Sequence, residues 1–342
     1  MMDIKRIWPG DSHSRAQAKA LLIQEGISLD RHLDFTLGLY EGDQLLATGS
    51  FYRNTLRCLA VDSVHQGEGL MAVLISQLNQ ELFSRGISEL FMYTKKTAAK
   101  TFTMLGFYEI ASVDGVVFLE NRRNGFANYL ESLERPELPQ GTRTGAIVMN
   151  ANPFTLGHQY LVEQAAACCR ALHLFMVSED ISLFPYTARE QLIRAGTAHI
   201  PHIYYHPTGP YLVSSATFPS YFIKESEALT LAQARMDASV FGRIAKALSI
   251  TDRYVGEEPF SLSTALYNQA MTERLPLNGV QLHIIPRRED AGQTPISATR
   301  VRAAMKAGDL EAIRHLVPQT TYDFLCGREG QAIARKLGES DK

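Results

Sequence analysis

The chain has 342 residues, with 34 lysines and arginines against 36 acids and a formal charge of -2. That balance supplies no general field for nucleic acid or an anionic membrane, so any phosphate site must be local. No apolar run is long enough to span a bilayer, and the first residues (MMDIKRIWPGDSHSR) lack the apolar stretch of a secretory signal, so a cytoplasmic protein of two domains is expected. Cys58, Cys168, Cys169 and Cys326 fall in no metal-ligand spacing and read as free buried thiols.

From Ser14 to Glu25 the apolar spacing is helical, and LDFTLGLY and QLLATGSFY alternate around the turn EGD as a hairpin. CLAVDSV reads as a third strand, HQGEG as a glycine turn, and LMAVLISQLNQELFSRG as a helix with Leu70, Leu74, Leu78 and Leu82 at every fourth position. ELFMYT is a further strand, AAKTFTML a short helix, and FYEI with GVVFLE closes the segment. Residues 121 to 144 are polar, charged and broken by Pro136 and Pro139, the marks of a linker with one helix around Phe126 to Leu133. The expected organisation is a first domain over 1–125, a linker over 126–144 and a second domain over 145–342.

Beyond the linker, AIVM (146–149) and LHLFMV (172–177) are continuous apolar runs, as in parallel strands covered on both faces. HIYYH (202–206), RYVG (253–256) and VQLHII (280–285) supply three more strands, with helical segments between them. The helix after AIVM places Leu161, Ala165, Cys168 and Leu172 on one stripe, and Thr187 followed by Glu190 has the form of a capping box. The second domain is therefore an open α/β sheet, in which ligands gather outside the carboxyl ends of the strands.

In that architecture the first strand-to-helix turn faces the ligand crevice, which makes NANPFTLGH (150–158) informative. Pro153 fixes one torsion, Gly157 removes a side chain where the helix starts, and His158 falls in the first turn beside N–H groups of partial positive charge. The set suits an anion, because glycine admits a phosphate to the backbone and an imidazole donates to its oxygens. A His158 that merely extends the buried stripe ahead of Leu161 is the competing reading. After the last strand, Ser297 and Thr299 precede a helix with Arg300 and Arg302 in its first turn, where cations oppose the helix dipole. A shared anionic ligand would remove that conflict, and so would solvation. Ser178, Glu179 and Asp180 stand at the same rim, as do Gly256 and Glu257, the latter two as candidates to meet a nucleoside. Arg189 and Lys224 are candidates for phosphate or acetate, or plain surface cations, and the tyrosines and histidines of HIYYHP read as sheet and rim residues.

Taken together, N-P-F-T-L-G-H (152–158) and I-S-A-T-R-V-R (296–302) resemble the paired motifs of the nucleotidyltransferase superfamily, whose catalytic domain is a Rossmann-like open parallel sheet. The resemblance implies that His158, Ser297, Thr299 and Arg302 hold the triphosphate and the charge that develops during attack at the α-phosphate. It puts Thr155 where some members carry a second histidine, and Asn152 where many carry aspartate. His158, Arg302 and Thr155 are then the catalytic set, with Asn152, Gly157, Ser297, Thr299, Gly256 and Glu257 as nucleotide contacts. Arg300 lies outside the pattern.

In the first domain, SVHQGEGLMAVLISQL followed by FTMLGFYEI is similar to the GNAT-type acetyltransferase fold, a mixed α/β domain whose glycine loop receives a pyrophosphate through backbone N–H groups. Gln66, Gly67 and Gly69 are the implied contacts, although Met71 stands where the family has a small residue and Glu68 puts an acid into an anion loop. Over nearly its whole length, with MNANPFTLGHQYLVE, VSEDISLFPYTAREQLI and GPYLVSSATFPSYFIK, the chain resembles the citrate lyase ligase family. That resemblance implies a ligase in which acetate attacks ATP, brought with Mg2+, to give acetyl-AMP and pyrophosphate. The acetyl group then passes to the thiol of a dephospho-coenzyme A type prosthetic group on the citrate lyase acyl carrier subunit, and AMP is released. No nucleic-acid or membrane partner is expected from the charge balance, and the mechanism needs no metal cage built by the protein. Two other readings stand beside it: an adenylyltransferase that joins AMP to a phosphate-bearing cofactor precursor, and a noncatalytic nucleotide- or carrier-binding module.

Overall fold

The computed structural model describes residues 2–180, 182–212, 226–257 and 262–339. They form two compact units, one holding the chain up to Asn128 with residues 226–239, the other holding residues 129–212 and those from 240 onward. Among the described residues no helix is long and apolar enough to cross a membrane.

The first unit opens with a strand that the apolar pattern does not mark. β1 (Met2–Arg6) is exposed along its whole length and pairs antiparallel with β2 (Phe35–Glu41), so its backbone rather than any buried face holds it. Between them lies α1 (Ser12–Gln24), started by the Asp11 carboxylate, which accepts the Ser14 N–H at 3.0 Å. β3 (Gln44–Tyr52) completes the hairpin, and β4 (Thr55–Val61), α2 (Leu70–Ser84), β5 (Phe91–Lys95), α3 (Ala99–Met104), β6 (Tyr108–Val113) and β7 (Val116–Glu120) follow as the sequence predicts. A helix α4 (Gly125–Ser132) comes next. The sheet order is β1-β2-β3-β4-β5-β7-β6, a GNAT-like mixed sheet in which β4 and β5 run parallel and the other neighbours antiparallel. Leu70, Leu74, Leu78 and Leu82 of α2 are all buried in one cluster with Leu39, Phe51 and Met92 of the sheet. Burying a leucine fully is worth about 1.5–3 kcal/mol, so this row fixes α2 on the sheet. The ladder between β4 and β5 is short, joining Thr55 to Phe91 and Leu56 to Met92. Past it, Leu59–Val61 and Tyr93–Lys95 line the walls of a cavity of about 720 Å³.

The second unit contains β8 (Thr144–Met149), α5 (Leu156–Cys168), β9 (Ala171–Met176), α6 (Tyr186–Thr197) and β10 (Ile203–Pro207). It continues with the later part of α7 (Ser226–Leu248), then β11 (Asp252–Gly256), α8 (Leu262–Arg274) and β12 (Gln281–Ile285). α9 (Ala298–Ala307), α10 (Gln319–Cys326) and α11 (Arg328–Glu339) complete it. The five strands are parallel in the order β10-β9-β8-β11-β12. The chain starts at the centre, runs to one edge and then crosses to the other, so the connections after β8 and β11 run to opposite sides and leave a switch point between these two strands, where ligands gather in such sheets. β9 is buried at every position, as a strand covered on both faces should be.

The amino ends of β8, β11 and β12 are tied by one carboxylate. Asp252 accepts two bonds from Arg143 (2.7 and 3.0 Å), one from the Thr251 hydroxyl (2.6 Å) and one from His283 Nε2 (2.6 Å). Burial pushes its pKa up, but the bonds from Arg143, Thr251 and His283 outweigh burial and hold it at about 2. His206 of HIYYH is a sheet residue: its Nε2 lies 2.8 Å from Nδ1 of His173, and burial lowers both rings, to about 4 and about 3.

Three local expectations are corrected here. The buried stripe of α5 runs through Val162 and Ala165, whereas Cys168 is exposed and Leu172 belongs to β9, because the helix ends at Cys168 and the chain turns before Leu172. Of the cysteines only Cys58 is buried; Cys169 is intermediate, and Cys168 and Cys326 are exposed on helix ends. Thr187 and Glu190 form no capping box. Pro185 is the N-cap of α6, which moves the start of the helix ahead of Thr187, and the Asp180 carboxylate takes the Tyr186 N–H at 2.8 Å from outside.

Candidate active site

The turn after β8 is shaped by backbone. Ala151 adopts a positive φ of 48° and the Asn152–Pro153 peptide is cis. Thr155, 1% exposed, is the N-cap of α5. Its hydroxyl oxygen accepts the His158 N–H at 3.4 Å, and His158 Nδ1 accepts the Thr155 N–H at 3.1 Å, closing a reciprocal cap. The Thr155 hydroxyl also stands 2.9 Å from the same ring nitrogen. With Nδ1 occupied as an acceptor, the ring proton belongs on Nε2. Burial, aided by the nearby Arg287 charge, lowers the pKa of His158 to about 4. At neutral pH the imidazole is thus uncharged and donates through Nε2–H. The Phe154 ring stacks on it at 5.7 Å, and Gly196 of α6 leaves the space that Phe154 fills.

The two motifs meet. Arg302 donates through Nη1 to the Asn152 carbonyl at 2.6 Å and through Nη2 to the Thr299 hydroxyl at 3.1 Å. A Cβ on Gly157 would stand 3.1 Å from the carbonyl oxygen of Ile296, which explains why a glycine stands in the first turn of α5. Ser297 caps α9 and accepts the Arg300 N–H at 3.3 Å. His158, Gly157, Asn152, Ser297, Thr299 and Arg302 therefore belong to one neighbourhood at the carboxyl rim, while the Thr155 side chain acts on the helix cap and on the ring of His158. Arg300 needs no ligand to settle its charge, because it pairs with Asp290 at 2.7 Å and donates to the carbonyls of Thr294 and Pro295.

Gly256 and Glu257 end β11 at the same rim, and among the described residues nothing stands within 4 Å of a Cβ placed on Gly256. The Glu257 carbonyl accepts Nε–H of Arg287 at 2.8 Å. Arg287 is a residue that sequence reasoning missed; its signal was a basic pair directly after the last strand, and burial lowers its pKa from the usual arginine range. Arg189 is no phosphate ligand, which corrects the expectation. It is 0% exposed and its donors go to the carbonyls of Phe184, Asn150, Val177 and Glu179 and to the Asn150 side chain. Ser178 is tied to Thr208 and Gly209, and Asp180 to Tyr186. Lys224 lies outside the described residues. A hollow of about 400 Å³ at the amino ends of β9 and β10, lined by Arg170, His199 and His202, is at the other end of the sheet and belongs to no part of this site.

In the first unit, Gly67 and Gly69 take φ of 93° and 82°, a region costly for residues with a Cβ, and Gly69 is the N-cap of α2 with no side chain on its N–H groups. Both glycines and Gln66 line the 720 Å³ cavity, together with apolar Leu59, Val61, Tyr93 and Phe102. Gln66 donates to the Glu25 carboxylate (3.2 Å) and to the Val61 carbonyl (3.3 Å). Glu68 is drawn off by His65 at 3.2 Å and is more than half exposed.

Among solved structures, the chain is similar to the ribosomal-protein-S18-alanine N-acetyltransferase of Escherichia coli, at 21% identity and a TM-score of 0.28 over 35% of this chain and 92% of that one. The fold of the first unit rests on its own strand order. Residues 144–325 match the family model described as the citrate lyase ligase C-terminal domain. The citrate pro-3S-lyase ligase of Escherichia coli strain K12 is 38% identical over 94% of this chain and 92% of its own length. That of Klebsiella pneumoniae is 40% identical over 92% and 93%. With the paired motifs joined at one rim and this likeness along almost all of its length, the chain belongs to the citrate lyase ligase family.

Proposed function

We propose that the protein is a cytoplasmic ATP-dependent ligase that activates acetate and acetylates the acyl carrier subunit of citrate lyase. In the first step an acetate oxygen bonds to the α-phosphorus of ATP while the bond to the β-phosphate oxygen breaks, giving acetyl-AMP and pyrophosphate. In the second, the carrier thiolate bonds to the acetyl carbon and AMP leaves. Magnesium enters with ATP as part of the substrate, held by phosphate oxygens.

In-line attack at phosphorus asks for positioning and charge neutralisation more than for covalent help. Nε2–H of the neutral His158 supplies a donor without adding a charge to be desolvated, and Arg302 supplies the cation. The observation that carries this reading is the bond from Arg302 to the Asn152 carbonyl, which joins the two motifs on one rim. Ser297 and Thr299 offer hydroxyls at the start of α9, and Gly256 and Glu257 border the nucleoside side. The cavity of the first unit suits a pantetheine-like arm, with Leu59, Val61, Tyr93 and Phe102 in its apolar lining and the glycine loop beside them.

The test is exchange of labelled pyrophosphate into ATP. Exchange that requires acetate supports the ligase; exchange seen only with a phosphorylated precursor in place of acetate overturns it. Acetylation of the carrier, followed by the mass gain on its thiol, then checks the second step.

A further inference from the structure

Arg189 is a cation in the interior of the second unit, 0% exposed, and among the described residues its hydrogen bonds go to carbonyl or amide oxygens. Burying a guanidinium is unfavourable unless every donor is met, and here the acceptors come from two loops. Nη1 donates to the Asn150 carbonyl (3.2 Å), the Asn150 side-chain oxygen (2.8 Å) and the Val177 carbonyl (2.7 Å). Nη2 reaches the Glu179 carbonyl at 2.8 Å and Nε the Phe184 carbonyl at 2.9 Å. The same two loops are braced further by Asn150 Nδ2–H on the Ser182 hydroxyl (2.9 Å) and by the Phe184 N–H on the Asn152 side chain (3.0 Å). Two residues past Asn150, the Asn152 carbonyl takes the 2.6 Å bond from Arg302.

We propose that Arg189 is a positioning residue for the adenylation site, acting from beneath the β8 loop to hold the Asn152 carbonyl where it anchors Arg302. The proposal rests on the ligase reading given above. Its role differs from general support of the fold in having an address: the path runs from Arg189 through Asn150 to Asn152 and ends on one guanidinium. Shortening Arg189 frees the Asn150 oxygens, the loop relaxes, and Arg302 loses its anchor while its own side chain remains. A displacement of about 1 Å at such a site costs on the order of 100-fold in rate.

The test is a double-mutant cycle on the full chain, with acetate-dependent pyrophosphate exchange and a thermal melt measured for the parent, Arg189→Gln, Arg302→Gln and the double variant. Arg189→Gln is expected to lower kcat on the order of 100-fold with the KM for ATP changed less than about threefold. The double variant is expected to fall within about threefold of Arg302→Gln alone, since both substitutions break one arm. Losses that multiply, or an Arg189→Gln enzyme that exchanges like the parent, overturn the proposal. If the melt shows Arg189→Gln unfolded, Arg189→Lys, which keeps the charge but not the fork of donors, takes its place in the same cycle with the same two outcomes. If the parent exchanges only with a phosphorylated precursor, the ligase reading fails, and the cycle run with that precursor still decides Arg189. A parent with no exchange at all overturns both.

Discussion

In the proposed reaction the imidazole of His158 has two tasks on two nitrogens, and two substitutions separate them. Nδ1 closes the cap by accepting the Thr155 N–H at 3.1 Å, and Nε2 is left to donate. Asparagine puts an amide oxygen near the place of Nδ1 and nothing near Nε2, whereas glutamine puts an amide nitrogen near Nε2 and abandons the cap. Losing one preorganised donor to a developing charge costs roughly 3–4 kcal/mol, a rate loss of about 10²- to 10³-fold. Losing one capping bond costs about 1 kcal/mol of stability. His158→Asn is therefore expected to lose two to three decades of acetate-dependent exchange with a urea midpoint close to the parent. His158→Gln is expected to retain more rate but to unfold at lower urea. Acid adds a second reading of the same ring. The folded pKa of about 4 lies below the ordinary 6.5, so the unfolded chain takes up this proton first. The resulting penalty, at most roughly 3 kcal/mol, is absent above pH 6.5, grows as the pH falls and is complete below 4. His158→Asn should thus gain on the parent as pH drops through that window. An asparagine variant with parental exchange, or a glutamine variant that is the slower of the two, would refute the reasoning.

Three further outcomes follow from other positions. Gly157→Ala sets a Cβ 3.1 Å from the Ile296 carbonyl, so the backbone ahead of Ser297 must give way; the KM for ATP in the exchange assay should rise about tenfold with a stability cost of about 1 kcal/mol, and an unchanged KM would contradict this. Asp252→Asn removes a carboxylate held at about 2, whose contribution of roughly 2 kcal/mol is present above pH 3.8 and lost as the pH falls through 2. Urea midpoints of parent and variant should differ at pH 7 and converge near pH 2, and a gap that persists in acid would count against the assignment. Gly69→Ala forces a Cβ residue toward φ of 82° at about 1–2 kcal/mol; calorimetric titration with dephospho-coenzyme A should show weaker binding, and parental binding would remove the loop from the ligand site.

Residues whose chemistry tolerates few roles were legible in the sequence. A proline, a glycine and a histidine between two apolar runs pointed to the β8 loop, and Ser297 and Arg302 pointed to the start of α9; the bond from Arg302 to the Asn152 carbonyl brings those two segments together. Arg189 was misread because a charged residue is assumed to face water. Yet it shares its face of α6 with Leu192, Ile193 and Gly196, all buried, at positions i, i+3, i+4 and i+7. Thr187 had the right partner spacing for a cap, but local spacing cannot weigh it against Pro185 before it or Asp180 from across the turn. β1 left no apolar trace, since an edge strand held by its backbone needs none. Arg287 acts on His158 through a charge carried across more than a hundred residues of chain, which no window of sequence contains.

The tie of Arg143, Thr251 and His283 to Asp252 sits toward the amino ends of strands whose carboxyl ends carry the proposed site. A strand of five residues separates the two by roughly 16 Å. The keystone and the workbench are thus different places on the same strands. Substitutions at the end proposed to bind the acid and the nucleoside can accumulate while the other end keeps the strands joined, so specificity in such a scaffold is free to drift without the fold drifting with it.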